Sequence, residues 1–137
     1  MSVHEVRSKL SESEKITINL GLIDLGQIDL LVQEGFYSNR TDLIRTAIRN
    51  QLSSHADVVK QTVLRKSLVL GLQHYSRMDL EAMRAAGQRL QIQVLGLARI
   101  GDDVSPELAL ATIESVAVLG ALHASSAVKA ALAERIR

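Results

Sequence analysis

From Glu14 to Leu20 the chain alternates: Ile16, Ile18 and Leu20 are apolar, while Lys15, Thr17 and Asn19 between them are polar. A period of two predicts a strand with one buried face and one wet face. No hairpin turn or second strand follows. A lone strand satisfies neither its backbone hydrogen bonds nor its apolar side, so the pattern calls for a partner strand from elsewhere. The period then changes. Leu25, Ile28, Leu31 and Val32 recur at spacings of three and four and predict a helix that stops at Gly35. Ser38-Asn39-Arg40-Thr41-Asp42 reads as a helix start, with Asn39 as the cap and Asp42 three residues on. Leu43, Ile44, Ala47, Ile48 and Leu52 mark the second helix. Gly21 and Gly26 weaken the first one, because glycine costs about 1 kcal/mol relative to alanine in a helix.

Strand, helix, cap and helix over residues 14–52 resemble a ribbon-helix-helix DNA-binding domain. The resemblance is carried by the Lys15 to Leu20 strand, by the turn from Gly35 to Asp42, and by the Leu-Ile-Arg-Thr-Ala-Ile that follows. It implies an intertwined homodimer whose strands pair into an antiparallel ribbon that enters the major groove of double-stranded DNA. It also implies base-reading roles for Lys15, Thr17 and Asn19, and a phosphate anchor at Ser38, Asn39 and Arg40. The residue chemistry agrees. Lysine donates to guanine O6 or N7, asparagine bonds adenine bidentately, and threonine offers a hydroxyl and a methyl. Amide groups at a helix start attract anions, and Arg40 adds a charge there. The plainer alternative makes Lys15, Thr17 and Asn19 the wet face of an edge strand and Asn39 only a cap.

Residues 1–13 lack apolar periodicity and carry charges of both signs, as expected of a flexible arm. Residues 53–66 begin with the interruption Ser53-Ser54-His55 and continue with Val58, Val59, Val63 and Leu64 at helical spacing, which predicts a linking helix. Over residues 67–137 a motif repeats: Val69-Leu70-Gly71-Leu72, Val94-Leu95-Gly96-Leu97 and Val118-Leu119-Gly120-Ala121. Each copy is expected to be an apolar strand followed by a helix or tight turn, with helix starts at Ser76, at Ser105-Pro106 and at Ser125 or Ser126. Connections of this length favour parallel strands, in a small open sheet or short solenoid coils. The fold class expected is therefore α+β, a ribbon-helix-helix followed by a small α/β module of three strand-helix repeats. Its strands are too apolar to stay wet, so the module is expected to join dimers into a higher oligomer or to bind a protein partner.

Composition narrows the function. With 47% apolar residues the chain is globular, and Phe36, Tyr37 and Tyr75 are its only aromatics, too few to stack single-stranded nucleic acid. It has no cysteine, and its N-terminal residues do not resemble a signal peptide; a cytoplasmic location is expected. No apolar run reaches the roughly 18 residues of a membrane span. The net charge of +1 is low for a DNA-binding protein, but residues 40–66 hold six cations against Asp42 and Asp57. His4, His55, His74 and His123 are scattered, so no metal site is expected, and no cofactor either. Asp102-Asp103 near Glu107 reads as a solvated turn, and no catalytic motif occurs, so the chain is not expected to be an enzyme. The functional expectation is a sequence-specific transcriptional regulator acting as a repressor. The alternative is an antitoxin or a DNA-organising structural protein whose C-terminal half binds a partner or polymerises.

Overall fold

The computed structural model describes residues 13–137, so the arm expected at the N-terminus lies outside the described residues except for Ser13. The chain divides into two units, Ser13–Thr62 and, among the described residues, Val63–Arg137.

In the first unit residues 14–20 belong to no helix and pair with no strand. Helix α1 spans Leu22–Gln33, with Gly21 at its N-cap. It ends in a Schellman arrangement: Gly35 takes a φ of 86°, its N–H donates to the Val32 carbonyl at 3.1 Å, and the Phe36 N–H donates to the Leu31 carbonyl at 3.0 Å. Helix α2 spans Arg40–Ser54, two residues past the expected end, and Asn39 caps it as its spacing predicts. Helix α3, Ala56–Arg65, follows after His55.

Half-buried Leu25, Ile28, Val32, Leu43 and Ile44 mark the inward stripes of α1 and α2. Yet no residue from Ser13 to Thr62 is fully buried. Ile16 is 74% exposed, Ile18 60% and Phe36 70%. The apolar stripes of this unit thus stay exposed or half-buried in the single chain.

The second unit is a three-stranded parallel sheet in the order β1-β2-β3, with β1 Val69–Tyr75, β2 Leu90–Ile100 and β3 Ile113–His123. Helices α4 (Arg77–Ala85), α5 (Pro106–Thr112) and α6 (Ser126–Ala131) follow the strands in turn. The strands are longer than the four-residue motif that announces them, but the motif sets their register: Val69, Val94 and Val118 align, and so do Gly71, Gly96 and Gly120. All three helices start the same way. Ser76, Ser105 and Ser125 accept from the N–H three residues on, at 3.1, 3.1 and 3.2 Å. Pro106 occupies the first turn of α5, and Asp79 completes a capping box at α4.

One face of the sheet packs on the helices. Ile92, Val94, Ala98 and Ile100 from β2, with Val116 from β3, are buried against Leu80, Leu108, Val128 and Leu132. At the end of α5, Arg135 donates through Nη1 to the carbonyls of Leu110 and Ile113, at 2.8 and 2.7 Å. It satisfies groups that the helix terminus leaves without partners. Arg137 N–H donates to the Val116 carbonyl at 2.8 Å, beside a parallel bridge from Ile136 that covers the start of β3's outer edge.

The opposite face carries the residues between the core positions. Register places Leu70, Leu95 and Leu119 in one row, Leu72, Leu97 and Ala121 in the next, and His74, Arg99 and His123 at the strand ends. Among the described residues no helix of this unit packs there. Leu97 is buried on this face and stands apart from the core cluster beneath the helices.

Candidate nucleic-acid interface

Lys15, Thr17 and Asn19 are all exposed, and the apolar residues alternating with them, Ile16, Ile18 and Leu20, are exposed as well. No backbone group of residues 14–20 bonds to another described residue. The segment therefore offers two things at once: a polar row with the hydrogen-bonding repertoire of a base reader, and an apolar row with nothing to cover it.

The second cluster is the start of α2. Asn39 Oδ1 accepts from the Asp42 N–H at 2.8 Å, and Asp42 Oδ2 accepts from the Ser38 N–H at 2.9 Å. The N–H groups of Arg40 and Thr41, at the first two helical positions, have no carbonyl four residues back within the helix. They form an anion-attracting end of a fifteen-residue helix. Ser38, Asn39 and Arg40 are all exposed beside it. The Asp42 carboxylate already satisfies the Ser38 N–H, which leaves the Arg40 and Thr41 amides as the ones without a partner within the helix.

Arg40 has a partner that sequence spacing did not reveal. Its Nε and Nη2 donate to the two carboxylate oxygens of Asp29, at 2.7 and 2.8 Å, joining α1 to α2 across the turn. The hydrogen bonds from Arg40, then its charge, hold the Asp29 carboxyl below its ordinary pKa, and the same pair raises that of Arg40. A guanidinium carries five donors, and this fork occupies two; it fixes the plane of the group while leaving other N–H bonds for a second acceptor.

Farther along the chain, His74, Ser76, Arg99, Ile100, Gly101, Asp102 and Asp103 line an open depression of about 400 Å³ at the carboxyl ends of β1 and β2. Arg77 lies 3.8 Å from Asp103 there. Among the described residues no group of three His, Asp or Glu side chains is arranged to hold a metal ion, and no helix is long and apolar enough to cross a membrane.

An unpaired alternating segment, two capped helices and an anion-attracting second helix define the class of ribbon-helix-helix DNA-binding proteins. Residues 11–129 match the model of the Ribbon-Helix-Helix transcriptional regulator family, and the chain belongs to that family. The match runs well beyond residues 14–52 and takes in all three strands and most of α6. No curated protein and no solved structure matches the chain.

Proposed function

We propose that this regulator is a homodimer that recognises a specific double-stranded DNA sequence and represses transcription by occupying it. Two copies of residues 14–20 pair as an antiparallel ribbon, and the ribbon lies in the major groove. Pairing satisfies the backbone of each strand and sends Ile16, Ile18 and Leu20 inward against α1 and α2 of both chains. Lys15, Thr17 and Asn19 then point together into the groove and read base edges. The start of α2 holds the flanking phosphate through its first amides, with Ser38 and Asn39 beside it and Arg40 supplying charge.

The observation that carries this reading is the absence of any buried residue between Ser13 and Thr62. Obligate dimers have this character, because each chain supplies the cover the other lacks. The low net charge of +1 fits a reader that relies on base contacts and on the six cations of residues 40–66 rather than on a broadly basic surface.

The test is duplex selection followed by binding at several salt concentrations. A sequence-specific dimer enriches a site with two-fold symmetry and binds it at least about a thousandfold more tightly than random duplex. Equal affinity for every duplex would remove the regulatory reading.

A further inference from the structure

The repeated motif is half explained by the fold. In each copy the valine belongs to the helix-facing side of the sheet and the glycine forms the strand-to-strand joint. The residues flanking the glycine, Leu70 and Leu72, Leu95 and Leu97, Leu119 and Ala121, all fall on the side opposite the helices, where no described helix packs. Leu70 is 68% exposed and Leu119 57%. All-parallel sheets occur almost only with both faces covered, and among the described residues helices cover this one on a single face.

We infer that the leucine face of one copy packs against the same face of the other copy in the ribbon dimer. The patch is organised as an interface. Its two middle rows are purely apolar. They end in a polar rim, with Gln91, Gln93 and Ser115 at the strand starts and His74, Arg99 and His123 at the strand finishes.

Its size identifies the occupant. The apolar rows span three strands about 4.8 Å apart and two side-chain repeats along them, a few hundred Å² in all. A free-standing complex buries about 800 Å² per partner. A patch this small does not hold an untethered protein, but it holds one that is already delivered, because tethering turns the second contact into an intramolecular one. The paired ribbons supply that tether, so the inference rests on the dimer proposed above. The apolar strands thereby gain a cover inside the dimer, in place of the joining of dimers that their composition first suggested.

The chain has no cysteine, so a single introduced thiol reports without background. In the full-length protein, Leu95→Cys puts a thiol on the central strand, which faces its own counterpart whichever way a two-fold axis lies in the face. Stacked sheets are about 10 Å apart, so a bis-maleimide of about that span bridges the pair. Leu119→Cys tests coverage by its rate of reaction with maleimide. Glu81→Cys, exposed on α4 in the helix layer, is the control for both. Circular dichroism confirms that each variant is folded, and the exposed Leu119 position tolerates the change even if Leu95 does not.

The expected result is a covalent dimer from Leu95→Cys but not from Glu81→Cys, undiminished on dilution as long as the mass remains that of a dimer. Leu119→Cys should react at least about tenfold more slowly than Glu81→Cys. A protein that is dimeric by mass, with no Leu95 cross-link and equal maleimide rates, overturns the face-to-face contact and leaves the ribbon intact. A protected Leu119→Cys without the cross-link also overturns it and gives the cover to another segment. Cross-linked species larger than the dimer that disappear on dilution overturn the placement within one dimer. A monomeric wild-type protein removes the tether, and this inference with it, by failing the ribbon reading first.

Discussion

The carbonyl oxygen of Gly71 occupies the space that a Cβ on Gly96 would need. The next step of the sheet repeats the relation, with the Gly96 carbonyl set against Gly120. All three glycines hold positive φ, at 119°, 138° and 120°. The two close approaches run through the middle of the sheet: at Gly96 and Gly120 only glycine fits both the space and the dihedral, while at Gly71 the space is open and the dihedral alone favours glycine.

Gly96→Ala is therefore expected to destabilise the C-terminal unit severely. The dihedral alone costs about 1–3 kcal/mol, and the clash with backbone adds to it. Gly26→Ala is the counterpart: a Cβ there meets nothing within 4 Å, and helix α1 should gain up to about 1 kcal/mol. Thermal unfolding of the two variants, followed by circular dichroism, should shift in opposite directions.

Ile18→Lys should abolish dimerisation and the folding of residues 13–62 together. Ile18 is 60% exposed in the single chain, and in the proposed ribbon it becomes core when the second strand pairs. Light scattering with circular dichroism checks this. A well-folded monomer would mean that the strand finds its cover within its own chain.

The Arg40–Asp29 fork separates two roles of one side chain. Arg40→Ala should weaken binding to all duplexes alike and flatten the salt dependence by about one phosphate per chain. Asp29→Asn keeps the charge of Arg40 but frees its plane, so the salt slope should hold while affinity falls modestly. The pair also gives pH a sign. The carboxyl of Asp29 titrates below its ordinary value when folded. Its stabilising contribution is thus complete above the ordinary carboxylate pKa and is lost as pH falls through the lowered one. Titration of the Asp29 carboxyl by NMR in wild type and in Arg40→Ala should show the pKa rising in the variant.

Periodicity was enough to read the two helices of residues 14–52, because each is specified locally, by an Asn39 cap and a Gly35 stop. The strand expected from the alternation at Ile16 and Ile18 is not formed in the single chain, where no described strand pairs with residues 14–20. The Val-Leu-Gly recurrence disclosed three equivalent strands, and the structure shows that the motif also sets their register. Tertiary relations were not legible. Arg40 and Asp29 are eleven residues apart and meet only because the turn brings the two helices together. Arg135 reaches carbonyls 22 and 25 residues back at the end of α5, a partnership that no local pattern encodes. The strand ends were missed for a related reason. Beyond the motif, Gln91, Gln93 and Arg99 break the apolar run, and they belong to strands because neighbouring strands pair with them.

The central claim is that Lys15, Thr17 and Asn19 read bases from a dimeric ribbon. Replacing all three with alanine removes contacts worth about 1–3 kcal/mol each in discrimination, while leaving the apolar row that pairs the strands untouched. The decisive measurement is the ratio of affinities for the selected duplex and a scrambled one, in the triple variant and in wild type, at a single salt concentration. The account predicts a dimeric variant whose ratio collapses toward one while its affinity for the scrambled duplex changes little. A variant that keeps the wild-type ratio would contradict it.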